Sequence, residues 1–205
     1  MNLATIHHSK EKVLICDFDE TLIKEDLEKE FVSFYVKNHL GALDCFLALF
    51  TIPINKVFKI FHLGGVLKSW TFDKSPQQLN KFYEEFMNTS KINLNKNVLD
   101  FVRCYQGKKV LLTGCHQSLV NFFLKKYKID NTFDEVIGSI TKCNGLVIKR
   151  HPFGKSKLNF INAPDVGIGN SIFDRYFLEE CKVSYVVNPD KELATYADKY
   201  GWKEL

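Results

Sequence analysis

The chain has 205 residues, 45% of them hydrophobic and 25% charged, with 28 Lys and Arg against 24 Asp and Glu for a formal net charge of +4. These proportions exclude a disordered chain or a membrane bundle, and the length suits one catalytic domain with a modest insertion. The basic residues are spread along the chain without forming a block, which argues against nucleic acid as a partner and suits an anionic small substrate.

The six cysteines, Cys16, Cys45, Cys104, Cys115, Cys143 and Cys181, form no CxxC pair, and no cleavable signal precedes them. Reduced thiols in a cytoplasmic protein are expected. Cys115 is expected as a buried or site-lining thiol, because only His116 stands beside it as a catalytic neighbour.

In chain order, Lys12 to Cys16 reads KVLIC, a short apolar run that predicts a buried strand delivering the acidic cluster DFDET at its C-terminal end. From Leu22 to about Val98 the pattern changes. LEKEFVSFYVKNHL, PINKVFKIFHLGGVLKSW and SPQQLNKFYEEFMN repeat apolar residues at spacings of three and four, which predicts a helical insertion acting as a lid. Within it, LGALDCFLALFTIPI from Leu40 to Ile54 is apolar except for Asp44 and is broken too early by Pro53 to span a bilayer. It reads as a buried lid helix, the alternative being an apolar surface for a lipid-like substrate or for peripheral membrane contact.

KKVLLTG from Lys108 to Gly114 predicts a second strand, followed by a helix with Leu119, Val120, Phe123 and Leu124 on its buried face. EVIGSI, from Glu135, reads as the first arm of a hairpin that turns at Asn144-Gly145 into LVIK. DVGIG from Asp165 to Gly169 predicts a strand, NSIFDRYFLEEC a helix with Ile172, Phe173, Tyr176 and Phe177 on one face, and VSYVVNP a last strand ending at Pro189. This alternation predicts an α/β fold: a Rossmann-like, mostly parallel sheet with helices on both faces, formed by residues 1–23 and 99–205, with an α-helical cap at 24–98 inserted after the first strand. Its ligand site is expected beyond the carboxyl ends of the strands.

Phosphoryl transfer needs an in-line nucleophile, a proton donor, a divalent ion and fixed donors around the phosphate oxygens. Asp17 and Asp19, two apart at a strand end with Thr21 following, would face one substrate phosphate; a helix-capping pair of surface aspartates would look similar. Thr113 with Gly114 at a strand end suits phosphate contact. Lys155 and Lys157 compete for the charge-neutralising role, and Lys155 is preferred because it follows Gly154 at an expected helix start, where backbone amides also favour an anion. His116, Arg150 and His151 are lesser candidates.

These motifs resemble, in order, those of the haloacid dehalogenase superfamily, and within it the phosphoserine-phosphatase-like branch with a helical cap. DFDETL matches the first motif, LLTG the second, HPFGKSK the region of the third, and GNSIFD the fourth, except that Asn170 stands where the family's acidic pattern expects aspartate. The resemblance implies Asp17 as covalent nucleophile, Asp19 as general acid and base, and Thr113 and a lysine on the phosphate. It also implies Mg2+ held by the Asp17 carboxylate, the Asp19 backbone carbonyl and a residue of the GNSIFD loop, Asn170 or Asp174. An amide oxygen at Asn170 brings no charge, so weaker metal binding is expected.

PDVGIGNSIFDRYFLEECKVSYVV further resembles the phosphatase-like domain of plant glycerol-3-phosphate acyltransferases, and the layout resembles phosphatase domains fused to prenyltransferases. The resulting expectation is a magnesium-dependent phosphatase of a small-molecule or lipid-like phosphate monoester. The alternatives are a catalytically weakened module that binds phosphate compounds or a protein partner, and a protein phosphatase. DFDETL also resembles the first motif of the carboxy-terminal-domain phosphatases, and the large helical insertion argues against that alternative, since that family lacks one at this point. Oligomeric state is left open.

Overall fold

The computed structural model describes residues 12–39, 71–141 and 148–205. The strands are β1 (Val13–Cys16), β2 (Lys108–His116), β3 (Glu135–Thr141), β4 (Ile148–Arg150), β5 (Val166–Gly169), β6 (Val183–Val186) and β7 (Lys203–Glu204). The helices are α1 (Leu27–His39), α2 (Pro76–Thr89), α3 (Lys96–Cys104), α4 (Gln117–Lys126), α5 (Arg175–Glu179) and α6 (Lys191–Tyr200), joined by short 3-10 turns at Asp130–Thr132, Gly154–Phe160 and Ile172–Asp174.

The strands form one sheet in the order β4-β3-β2-β1-β5-β6-β7, parallel throughout except for β4, which runs antiparallel on the edge. Central β1 pairs with β2 on one side and β5 on the other, Ile15 lying opposite Val110 and Gly167. The chain therefore leaves β1 in one direction and later returns to its other flank, which opens a crevice at the carboxyl ends of β1, β2 and β5.

Both faces of the sheet are covered, and the alternation of strand side chains shows how. Leu14 and Cys16 of β1 and Leu111 of β2 join the cluster containing Phe31, Tyr83, Val98 and Phe123, from α1 to α4. Ile15, Val110 and Leu112 point the other way, into a cluster with Phe177 and Leu178 of α5 and Leu193 and Ala197 of α6. A strand buried on both faces reads as an unbroken apolar run, which is why KVLIC and KKVLLTG lack polar alternation.

The described helices of the insertion share the core's own cluster. The chain enters and leaves side by side: Ile23 pairs antiparallel with Leu94, and Asn95 N donates to Leu22 O at 2.8 Å. Ser75 starts α2 with a capping box, its hydroxyl accepting from Gln78 N while the Gln78 side chain accepts from Ser75 N, and Pro76 fills the first turn. Leu79, Tyr83, Phe86 and Met87 then face inward, and Phe31 of α1 packs edge-on against Tyr83 and Phe86 at 5.0 and 5.4 Å. The apolar stretch from Leu40 to Ile54 lies outside the described residues. Among the described residues no helix is long and apolar enough to cross a membrane.

Three details differ from or extend the sequence expectation. The hairpin arms exist as β3 and β4, with Ile140 opposite Arg150, while the Asn144-Gly145 turn lies outside the described residues. The segment after β5 is a 3-10 turn followed by α5, and its buried residues are Asp174, Phe177 and Leu178, whereas Phe173 is exposed. Asp174 is drawn inward by polar partners, so the buried face runs from it at spacings of three and four. Finally, α6 and β7 were not foreseen. The sequence of α6 presents only Leu193 and Ala197 to the core, too few for a strong period; its start is set by Asp190, whose carboxylate accepts from Leu193 N at 2.8 Å.

Phe31→Ala should lower stability by ~3–5 kcal/mol, since a fully buried ring that bridges α1 and α2 leaves a cavity. Urea unfolding of this variant beside Glu30→Ala, on the exposed face of α1, measures the difference; equal midpoints would show that the insertion contributes nothing to the cooperative core.

Candidate active site

The site is assembled from the ends of the three central strands. Asp17 is the first residue beyond β1, and its N–H continues the ladder to Ile168 O at 2.9 Å. Phe18 turns back into the core, where its ring meets Phe123 edge-on at 5.5 Å, so Asp17 and Asp19 on either side of it both line one cavity of about 400 Å³. Thr113 reaches the same cavity because β2 slips out of register with β3 between Leu112 and His116, which frees Thr113 to Cys115 from regular pairing. Asn170 and Asp174 follow β5 and line it as well.

Lys157 lies at the centre. Its ammonium is 2.6 Å from Asp17 Oδ1 and 2.6 Å from Asp174 Oδ1, and its side chain is almost wholly buried against the Phe177 ring. Lys155, the residue preferred on sequence grounds, is exposed and does not line the cavity. The segment is a 3-10 helix, in which side chains three apart eclipse each other, so Gly154 and Lys157 share the inward face and Lys155 points outward.

Asp174 is fully engaged: Oδ1 accepts from Lys157, and Oδ2 accepts from the N–H groups of Asn170 at 3.1 Å and Ser171 at 3.2 Å. Asp174 is also a candidate metal ligand from the sequence, and in the structure its oxygens hold the lysine and the loop. Gly169 makes this possible, since a Cβ there would come within 2.8 Å of the Asp174 side chain. Thr21 Oγ1 lies 3.2 Å from both Asp17 Oδ2 and Asn170 Oδ1. A hydroxyl has one proton, so at most one of these acceptors is satisfied by it. The Asn170 amide nitrogen donates to Glu20 at 3.2 Å, which turns its oxygen towards Thr21 and Asp17. Thr21, the last residue of the DxDxT pattern, had no assigned role in the sequence reading, although its spacing was the available signal.

Asp19 has a different setting. Oδ1 accepts from Leu27 N, the first residue of α1, at 2.8 Å, and Oδ2 faces the Thr113 hydroxyl at 3.4 Å. Burial pushes the Asp19 carboxyl well above the ordinary carboxylate range, with Asp26 and Asp17 adding to the rise and the Leu27 N–H opposing it. Burial likewise raises the Asp17 carboxyl; Lys157 opposes the rise and Asp174 adds to it. Burial disfavours the Lys157 cation, but Asp17 and Asp174 outweigh it and lift the ammonium above its ordinary range. The lysine thus stays charged between the two buried carboxyls.

The lesser candidates divide. His151 lines the cavity, and Arg150 instead binds Gly138 O at 2.9 Å and the Gln117 side chain. His116 stacks on Phe72 at 4.0 Å and contacts Ser118 and Thr141, outside the cavity lining. Cys115 lines the cavity but is buried, and the described cysteines are all free thiols. Phe153 and Phe173 also line it, a role that sequence reading missed.

Among the described residues no group of three or more His, Cys, Asp or Glu side chains is placed to hold a metal.

Structural comparison agrees with this architecture. A protein of unknown function from Bordetella pertussis Tohama I superposes with a TM-score of 0.78 at 15% identity, covering 96% of this chain and 99% of that one. A probable phosphoserine phosphatase from Vibrio cholerae gives 0.63 at 13% identity over 96% of this chain and 60% of that one. A substrate-bound phosphoserine phosphatase gives 0.54 at 15% identity over 93% and 92%. No curated protein matches the sequence significantly. At such identities these likenesses speak for the fold, whereas a family model of haloacid dehalogenase-like hydrolases matches residues 14–179, the stretch that carries every side chain placed around the cavity from Asp17 to Asp174. The chain belongs to the haloacid dehalogenase-like hydrolase family.

Proposed function

We propose that this protein is a magnesium-dependent phosphatase that hydrolyses phosphate monoesters of a small-molecule or lipid-like alcohol through an aspartyl-phosphate on Asp17. The observation that carries the reading is the pair of carboxyls with unlike partners in one cavity: Asp17, pinned by the Lys157 cation and Thr21, and Asp19, held by a backbone N–H and the Thr113 hydroxyl, with burial and neighbouring acids raising its carboxyl. A fixed carboxylate suits a nucleophile, and a carboxyl that retains its proton suits a general acid.

In the first half-reaction an Asp17 carboxylate oxygen bonds to phosphorus, the bond to the ester oxygen breaks, and the Asp19 proton passes to the departing oxygen. In the second, Asp19 takes a proton from a water whose oxygen bonds to phosphorus, the bond to Asp17 breaks, and inorganic phosphate and the free carboxylate result. Lys157 and the Thr113 hydroxyl compensate charge on the phosphate oxygens.

The donor chemistry fits a hard cation. Asp17 Oδ2 and Asn170 Oδ1 share one hydroxyl proton, so an oxygen acceptor is left over. Asp17, Asn170 and the Asp19 carbonyl would hold magnesium, which when bound supplies charge against the phosphate dianion. Asp174 holds Lys157 instead. Residues 24–98 act as the cap in this reading. The free thiols support a cytoplasmic setting, and the apolar residues of the cap would supply any lipid or membrane contact.

Asp17→Asn should lower turnover on the order of a thousandfold or more with the fold retained. Asp19→Asn should lose most on alkyl phosphates with poor leaving groups and least on aryl phosphates. A leaving-group series on Asp19→Asn decides this, and equal losses across it would remove Asp19 from the acid role.

Lys157→Met should cost on the order of 10²–10³ in turnover and ~3–5 kcal/mol of stability, because it strands two buried carboxylates. Lys155→Met should change stability by less than ~0.5 kcal/mol. Urea unfolding and steady-state kinetics on the pair test the assignment; comparable losses at Lys155 would reverse it.

Asn170→Asp adds a negative charge beside Asp17 and should lower the magnesium concentration that half-saturates activity. A metal titration at fixed ionic strength measures this, and an unchanged or higher value would take Asn170 out of the metal site.

A further inference from the structure

Among the described residues four large hydrophobic side chains are exposed, and two of them touch each other at the cavity: Phe153 at 46% and Phe173 at 49% exposure, with ring centroids 4.7 Å apart. Exposed apolar surface at the mouth of a polar cleft is unfavourable unless something covers it. Neither ring is on a loose loop end. Phe153 stacks on His151 at 5.6 Å and 15°. His151 Nδ1 lies 2.7 Å from Ser139 Oγ, and the Ser139 hydroxyl donates to Gly114 O. Since that hydroxyl has one proton, His151 Nδ1 is the donor to Ser139, which fixes the imidazole behind the Phe153 ring.

The platform is also tied to the reacting groups. A Cβ on Gly114 would lie 3.3 Å from Phe153 Cδ2, so the ring rests against the backbone beside Thr113. Phe173 immediately precedes Asp174, the partner of Lys157. Both rings therefore stand on the 3-10 turns that place the lysine and its carboxylate, at a set distance from the phosphate position.

The charges of the cavity restrict what can lie there. Its remaining ionisable residues include Glu20, Asp26 and Glu28, and its basic residues among those described are Lys157, already shared between two aspartates, and His151. Nothing in that lining offers a free cation to a second acidic group on the substrate. We propose that Phe153 and Phe173 form an aromatic platform for the leaving group, selecting phosphate monoesters whose alcohol is apolar or planar and carries no negative charge. This rests on the phosphatase reading above and specifies its substrate class.

The test compares 3-phenylpropyl phosphate, propyl phosphate and 4-phosphonooxybutanoate, alkyl esters of similar leaving-group basicity. The natural protein should show kcat/KM highest for phenylpropyl and lowest for the carboxylate ester. The phenylpropyl-to-propyl ratio should fall about fivefold to tenfold in Phe173→Ala and in Phe153→Ala, the size expected for loss of one aromatic contact, and recover in Phe173→Tyr. No preference in the natural protein, a preference for the carboxylate ester, or an unchanged ratio in both alanine variants would overturn the platform. Calorimetric binding of the same esters to Asp17→Asn separates the two readings. If no ester is turned over, the phosphatase reading fails, and the platform stands only if phenylpropyl phosphate binds more tightly than propyl phosphate and Phe173→Ala removes the difference.

Discussion

A lysine with almost no exposed surface, shared between Asp17 and Asp174, is the interaction on which this site depends. Bringing three charges out of water costs several kcal/mol for each, and the cost is offset only by short, well-placed contacts. Both Lys157 contacts are 2.6 Å, and Asp174 is further held by the N–H groups of Asn170 and Ser171. In proteins, replacing a buried ion pair by apolar residues of similar volume is often neutral or stabilising, so the presence of this one in the interior points to function. It orients the Asp17 carboxyl towards the cavity it shares with Asp19.

The lysine also connects distant parts of the chain. Asp17 follows β1, Lys157 stands on the turn after β4, and Asp174 follows β5, so the pair contacts close the two loops over the crevice left by the strand order. Phe177 packs beneath the ammonium and belongs to the second cluster on that face of the sheet. Core packing on one side and charge pairing on the other thus meet at one residue. The aromatic pair Phe153 and Phe173 rides on the same two turns, which links the chemistry of the phosphate to the surface that meets the alcohol.

Asp19 illustrates how two neighbouring carboxyls acquire different behaviour. Asp17 faces a fixed cation, whereas Asp19 faces a hydroxyl, a backbone N–H and further acidic residues. Low polarity around a charge, and like charges nearby, favour the protonated form. The start of α1 acts on it in both directions: Asp26 adds repulsion that favours the protonated form, while the Leu27 N–H holds the carboxyl in place and opposes the rise.

The order of strands and helices, the acidic cluster at the end of β1, the hydroxyl at the end of β2 and the buried face of α4 were legible in the sequence because each is a local pattern. Apolar runs and spacings of two, three or four residues act over one turn or one strand, and the strand order then follows from chirality and short connections. The choice of Lys157 over Lys155 was not legible, because it depends on whether residues 154–160 wind as an α-helix or a 3-10 helix, and the contacts with Asp17 and Asp174 decide that. The same holds for Phe173, placed by its spacing on one helix face with Phe177 and found exposed, and for the contact between Asp174 and Lys157. Each of these outcomes depends on which distant partner reaches a side chain first, and distances of 140 and 17 residues along the chain become 2.6 Å only in the folded protein.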